Sequence, residues 1–261
     1  MKHEIKLLPS YWASVSGGKD SFYMLKMILN SRNYILNGVV HFELEIDYPF
    51  IKNVIDYMEK ECNKYNIPFI RIKPRKSWEE LYNKYGYPSR LRRWCNSSYK
   101  LDCKKQFNNY MKKYGYNVNY YIGYCIDEEK RYKERKLNEI YPLVEEGIEE
   151  KYILEWAKQQ TIYNDYYKFN NRCGCMGCPM SSIKEGVYLK KYYPEKFEYF
   201  FRKMIETEKR VSDEKGEKFS IYGNAKYDTQ YRINRINSII NYDQIDMFRY
   251  LEGLEKLGGK K

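Results

Sequence analysis

Tyr11-Trp12-Ala13-Ser14-Val15-Ser16-Gly17-Gly18-Lys19-Asp20-Ser21 reads as a short buried strand that runs into a glycine pair and out into a helix. From residue 20 to 31 the apolar Phe22, Leu25, Met27, Ile28 and Leu29 fall at roughly helical spacing. Two glycines permit a tight turn and let backbone approach an anion closely. The helix behind them aims its first N–H groups and the positive end of its dipole at the same point. Ser16 and Ser21 add hydroxyls and Lys19 adds a charge. Asp20 adds a carboxylate able to cap the helix or to help hold Mg2+ beside a triphosphate. Residues 16–21 therefore read as a phosphate cradle. A capped glycine turn accounts for Gly17-Gly18 alone but not for all six residues. The Gly-x4-Gly-Lys spacing of a Walker loop is absent.

Working outward, residues 35–42 read as a second strand, 50–65 as a helix and 68–72 as a third strand. This βαβαβ rhythm implies an α/β fold with a parallel sheet and right-handed crossovers. Residues 77–85 predict a short helix, 98–114 a Lys-rich one, 118–125 a fourth strand with its end at Gly123, and 149–160 a helix with Ile153, Leu154, Trp156 and Ala157 on one side. Beyond Cys178-Pro179 the pattern changes. Residues 184–211 are aromatic-rich and helical in period, with Pro194 starting a new helix; the stretch after Gly216 is irregular and basic; residues 244–257 predict a last amphipathic helix and 258–261 a frayed tail. The division this suggests is a nucleotide-binding core with a cysteine cluster over 1–180 and a helical C-terminal appendage over 181–261.

A chain of 261 residues, 43 % hydrophobic and 31 % charged, reads as a folded soluble protein. No run of 18 apolar residues predicts a membrane span, and the charged start Met1-Lys2-His3-Glu4-Ile5-Lys6 lacks the features of a signal peptide. The expected location is cytoplasmic, without a membrane partner, and oligomerisation stays open. The net charge of +12 favours anionic partners, nucleotide or nucleic acid, although 31 tyrosines and abundant Lys, Asn and Ile also fit the codon bias of an AT-rich genome.

Seven cysteines without an export signal argue against a disulfide framework, and Cys173, Cys175 and Cys178 crowd into six residues. Cys-x-Cys-x-x-Cys lets one loop wrap a metal or one face of a cluster, and thiolate ligation suits zinc and [4Fe–4S] alike. Cys62 and Cys125 stand alone on apolar segments and read as ordinary buried cysteines. Arg90, Arg92 and Arg93 suit bidentate binding of phosphate or sulfate, or form a solvated basic loop. Arg131, Arg135 and Lys136 read either as facing the nucleotide or as a solvated helix face. Neither His3 nor His41 is placed as a catalytic base, and His41 at a strand end reads as structural.

The hexapeptide 16–21 resembles the PP-loop of the adenine nucleotide alpha-hydrolase-like superfamily. Arg93-Trp94-Cys95 with Lys100, Gly123-Tyr124-Cys125-Ile126-Asp127-Glu128 with Arg131, Tyr141-Pro142-Leu143 before Gly147-Ile148-Glu149-Glu150, and Arg172-x-Gly174-Cys175-x-x-Cys178-Pro179 resemble, in order, elements of its phosphoadenosine phosphosulfate reductase family. Two departures stand out. Asn96 replaces the usual Thr, and the family's Asp-Thr-Gly-x-Glu-x-Pro-like run is here Glu43-Leu44-Glu45-Ile46-Asp47-Tyr48-Pro49, which keeps acids and loses the glycine.

The resemblance implies an open parallel sheet flanked by helices. It implies ATP or a related adenine nucleotide, with Mg2+, bound by Ser16, Gly17, Gly18, Lys19, Asp20, Ser21, Glu43, Gly123 and Arg131. Asp20, Lys19 and Arg93 carry the chemistry. It also implies a [4Fe–4S] cluster, with zinc as the alternative, on Cys95, Cys175, Cys178 and a fourth ligand that is Cys173 or Cys103, Cys173 being favoured. Reductases of the family attack with a cysteine in a C-terminal Cys-Gly element, and no cysteine follows Cys178 in this sequence. The expectation is therefore ATP-dependent sulfur transfer to a nucleic acid, in the manner of DNA-phosphorothioation or tRNA-thiolation enzymes, with a sulfur-donor protein as a further partner. Sulfonucleotide reduction with release of sulfite is the alternative, and a non-catalytic nucleotide-binding module is a third reading.

Overall fold

A computed structural model describes residues 7–133 and 137–241 of the chain. The charged N-terminal hexapeptide, Arg135, Lys136, the expected helix over 244–257 and the tail over 258–261 lie outside the described residues. In chain order the elements are β1 (Leu8–Val15), α1 (Lys19–Asn30), β2 (Gly38–Phe42), α2 (Pro49–Lys64), β3 (Phe69–Ile72), α3 (Trp78–Tyr85), a π-helical turn (Cys95–Lys100), α4 (Leu101–Lys113), β4 (Tyr116–Tyr121), α5 (Glu129–Tyr132), β5 (Glu139–Ile140), α6 (Pro142–Glu145), α7 (Glu150–Lys158), α8 (Tyr166–Phe169), α9 (Ile183–Tyr192), α10 (Pro194–Lys215) and α11 (Thr229–Asn241).

The five strands form one sheet in the order β3-β2-β1-β4-β5, and every neighbouring pair is parallel. All five residues of β2 are buried, as expected of a strand covered on both faces. The chain steps from β1 outward through β2 to β3, then returns to lay β4 on the other side of β1. That reversal opens a crevice beyond the C-terminal ends of β1 and β4, the place where open α/β sheets take ligands. Val15 at the end of β1 leads straight into the glycine pair, and Tyr121 at the end of β4 leads to Gly123. The sheet thus delivers both glycine segments to one crevice.

Compact packing divides the chain into two units, Met1–Trp78 with Cys95–Cys173 and Glu79–Trp94 with Gly174–Lys261. The division expected near residue 180 is set at Gly174 instead, and the segment 79–94 joins the C-terminal unit. Its anchors there are specific. Tyr87 donates its N–H to Thr207 Oγ1 at 2.9 Å, and the Lys203 ammonium lies 2.7 Å from Glu79 and 3.8 Å from the centre of the Tyr82 ring. Glu208 accepts the N–H groups of Ile221 and Thr229, each at 3.0 Å, which fixes the chain entering α11.

Two expectations are corrected. The basic stretch after Gly216 is not irregular throughout: it contains α11, whose buried Thr229, Arg232, Ile236 and Ile239 recur at spacings of three and four. The fourth strand stops at Tyr121 rather than reaching Cys125, because the chain turns where Tyr124 N–H bonds back to Ile122 O at 3.0 Å. Among the described residues no helix is long and apolar enough to cross a membrane.

Candidate functional site: the phosphate turn and the cysteine loop

Gly17 takes the turn with φ +78, and a Cβ there would lie 2.7 Å from Ile51 Cγ2 on α2, so the fold itself demands glycine. Gly18 is different. Its φ is −73, and a Cβ there would meet Ser16 Oγ at 3.5 Å and Tyr167 Oη at 3.6 Å, ordinary contact distances. The fold has room for a side chain at 18, and the sequence declines it.

Ser16 and Ser21 close the turn on themselves. Ser21 Oγ donates to Gly18 O at 3.0 Å and accepts from Ser16 N–H at 3.2 Å, with the two hydroxyls 3.3 Å apart. Gly123 supports the turn from β4. A Cβ at 123 would fall 2.9 Å from both the carbonyl carbon and oxygen of Asp20 and 3.0 Å from Ser21 N, so only glycine lets these two backbones touch.

The Lys19 side chain does not point at open space. It is 1 % exposed, with its ammonium 2.7 Å from Asp20 Oδ1 and 2.8 Å from Glu150 Oε1 at the start of α7. Burial opposes its charge, but the two carboxylates outweigh burial and hold its pKa above the ordinary lysine value. Asp20 is pushed above the usual carboxylate range, first by burial and further by Glu128 and Glu150, against the pull of Lys19. It does not cap α1, whose N-cap residue is Gly18. Cys125 Sγ stands 3.7 Å from Asp20 Oδ1, and burial and then the Asp20 charge push its thiol well up, so it rests protonated. Glu150 N–H bonds Asp127 Oδ1 at 3.0 Å, and Cys125 N–H bonds Glu128 Oε2 at 3.2 Å.

Of the other expected nucleotide contacts, Arg131 pairs with Glu128 and lies 4.3 Å over the Tyr124 ring, while Glu43, one residue past β2, pairs with Lys73 at 3.6 Å. Arg93 is exposed and belongs to the second unit. His41 is buried, its Nδ1 3.0 Å from Val15 O, and burial lowers its pKa, which keeps the ring neutral. The turn's contacts with Glu150 and Tyr167 escaped the sequence reading. Glu150 had a signal, an acid at a helix start, whereas Tyr167 was one tyrosine among 31.

The cysteines divide between the units. Cys95 opens the π-helical turn and Cys173 ends the first unit, while Cys175 and Cys178 belong to the second. Cys103, the rival fourth ligand, is buried in α4 with its thiol raised by burial to about 11. In the second unit the loop 175–182 is gripped by its backbone. Tyr87 Oη donates to Gly177 O at 2.7 Å, Arg90 Nε to Pro179 O at 3.4 Å, and Arg232 Nη2 to Ser181 O at 2.8 Å and Ser182 O at 3.1 Å. Met180 N–H points at Cys178 Sγ from 3.4 Å. Ser182 and Glu185 then form a capping box that starts α9. Four sulfurs suit zinc or an iron–sulfur centre by softness. Among the described residues no three of His, Cys, Asp and Glu are grouped so as to hold a metal ion.

Comparison with known proteins gives three results. The profile of the phosphoadenosine phosphosulfate reductase domain matches residues 10–179. Two Methanocaldococcus jannaschii proteins are similar in sequence: uncharacterized protein MJ0973, 30 % identical over 78 % of this chain and 49 % of its own length, and uncharacterized protein MJ0066, 27 % identical over 77 % and 43 %. The chain thus spans about half the length of these curated relatives or less. Among solved structures, the U34-tRNA thiolase NcsA from Methanococcus maripaludis with its [4Fe-4S] cluster superposes at a TM-score of 0.37 and 17 % identity, covering 76 % of this chain and 71 % of that one. A superposition that loose carries no argument about this chain's reaction.

Proposed function

This chain belongs to the phosphoadenosine phosphosulfate reductase domain family, and on that premise we propose that it binds ATP at residues 16–21 and uses it to activate a nucleic-acid oxygen for replacement by sulfur. The supporting observation is Gly18. Neither its backbone conformation nor its neighbours exclude a side chain, so the missing Cβ serves something that approaches the backbone from outside, as a phosphate does at a helix N-terminus. Gly17 and Gly123 keep the turn rigid, and α1 aims its dipole at the bound phosphates.

In the reaction we propose, a nucleobase carbonyl oxygen attacks the α-phosphorus of ATP. The O–P bond forms, the bond to the β-phosphate breaks, pyrophosphate leaves and the base gives up its N–H proton. Hydrosulfide from a donor protein then adds at the activated carbon and expels AMP, and the proton returns to the ring nitrogen. Lys19 holds positive charge beside the phosphates, and Asp20 with Glu150 holds Lys19. Mg2+ arriving with the triphosphate supplies further charge neutralisation. Arg93 is proposed as a phosphate contact, and Glu43 and Arg131 as nucleoside contacts. Cys95, Cys173, Cys175 and Cys178 are proposed as ligands of a [4Fe–4S] centre, with zinc the alternative; no step above is routed through it.

Sulfonucleotide reduction with release of sulfite is the alternative reading. The net charge of +12 suits a nucleic-acid acceptor. The test is ATP turnover to AMP and pyrophosphate in the presence of tRNA or DNA. Asp20→Ala is expected to abolish turnover while leaving the circular dichroism spectrum intact, and unchanged pyrophosphate release would defeat the assignment of the turn. Sulfite release from a sulfonucleotide with a thiol reductant would restore the reductase reading.

A further inference from the structure

The first four N–H groups of a helix have no partner within it, and an N-cap side chain normally serves the second or third of them. Gly18 is the N-cap of α1 and has no side chain to give. The Lys19 N–H is taken by Tyr167 Oη at 2.9 Å, from 148 residues further along the chain. Both residues are buried to 1 % exposure.

Tyr167 sits on α8, a four-residue helix entered through Asn164 and Asp165, both left-handed at φ 46 and φ 59. Two consecutive non-glycine residues in that region carry backbone strain, which persists only where surrounding structure over-determines it. What over-determines it here is a set of buried tyrosines. Tyr163 meets Tyr167 edge to face at 4.7 Å, and Tyr166 meets Tyr167 at 5.4 Å. Tyr166 Oη donates to Arg172 O at 3.2 Å, which pins the chain one residue before Cys173. One short helix therefore holds the phosphate turn with one hydroxyl and the approach to Cys173 with the next. Tyr163 is just as buried, yet its hydroxyl has no hydrogen-bond partner among the described residues.

We propose that Tyr167 is a positioning residue for the nucleotide turn, supplying a partner for the first orphan N–H of α1, and that α8 thereby links nucleotide binding to the segment ending at Cys173. The inference rests on the nucleotide reading above. A glycine N-cap leaves the turn open to phosphate, and the distant hydroxyl keeps the first turn of α1 in register without filling that opening. Because linkage is reciprocal, whatever orders the turn also orders residues 161–173.

The test compares wild type, Tyr167→Phe and Tyr163→Phe in the full chain, by ATP titration and by backbone hydrogen exchange with and without ATP. Tyr167→Phe keeps the ring and removes that partner, and is expected to weaken ATP binding about tenfold, the worth of one hydrogen bond. Tyr163→Phe, which removes an unpartnered hydroxyl, is expected to leave affinity unchanged. In wild type, ATP is expected to slow exchange over both 16–22 and 161–173; in Tyr167→Phe it slows exchange over 16–22 alone. A Tyr167→Phe chain that loses thermal stability but binds ATP like wild type, or in which 161–173 still responds, overturns the proposal. Wild-type chain that binds no ATP overturns the nucleotide reading itself, a result separable from the others because it needs no variant.

Discussion

The phosphate turn and the cysteine loop are both glycine-bearing and both held by distant side chains, but they are held in opposite ways. In the loop the grip is on carbonyls: Tyr87, Arg90 and Arg232 take the oxygens of Gly177, Pro179, Ser181 and Ser182. In the turn the distant grip is on the helix that follows and on the lysine, through Tyr167, Asp20 and Glu150, while the glycine pair is held only by Ser16 and Ser21 of the turn itself among the described side chains. A loop built to present side chains fixes its backbone; a turn built to present backbone fixes its side chains. The contrast explains why Lys19, read from sequence as a phosphate ligand, is locked between carboxylates. Its charge is placed rather than offered.

That contrast can be broken or sharpened by substitution. The largest effect belongs to the cysteine loop. Chain purified without oxygen is expected to carry iron and acid-labile sulfide, and Cys178→Ala to remove both; full metal content in the variant would strip the loop of its proposed role, and zinc without sulfide would replace the cluster with the alternative. Next comes Gly17→Ala, which forces a left-handed φ on a side chain and drives its Cβ to 2.7 Å from Ile51. A cost of about 1–3 kcal/mol is expected from such overpacking, read as a drop in melting temperature. A variant as stable as wild type would show that α2 does not brace the turn.

The smallest effect is at Asp47, whose carboxyl is pushed up to about 7, chiefly by burial and against the pull of Lys100. A carboxyl raised on folding stabilises the native state most below its unfolded value near 4 and loses that contribution as pH climbs through 7. Asp47→Asn is expected to flatten the fall in stability between those limits; an unchanged profile would show that Asp47 ionises freely.

Much of this was legible in the chain. The short buried strand, the glycine pair and the helical spacing of Phe22, Leu25 and Ile28 placed β1, the turn and α1 within a few residues, because local pattern and tertiary role coincide there. The family and the parallel sheet followed from motifs in their order. β5 was not legible, since a strand of two residues shows no period. Nor was α11, because Arg232 breaks its apolar face and finds its hydrogen-bond acceptors on the distant cysteine loop. The tie between Tyr167 and Lys19 spans 148 residues and has no signature that separates it from the other tyrosines. The cysteines were visible as a set, but the division of the chain between Cys173 and Gly174 was not.

The central claim is that Gly18 is bare for the sake of a ligand, and Gly18→Ala tests it with two readings on one variant. Melting temperature is expected to fall by no more than about 2–4 °C, the cost of alanine for glycine at an N-cap, since the added methyl meets only ordinary contacts at 3.5 and 3.6 Å. ATP affinity is expected to fall by at least about tenfold, because the methyl stands where phosphate must approach the backbone. An alanine variant that binds ATP as tightly as wild type would contradict the account.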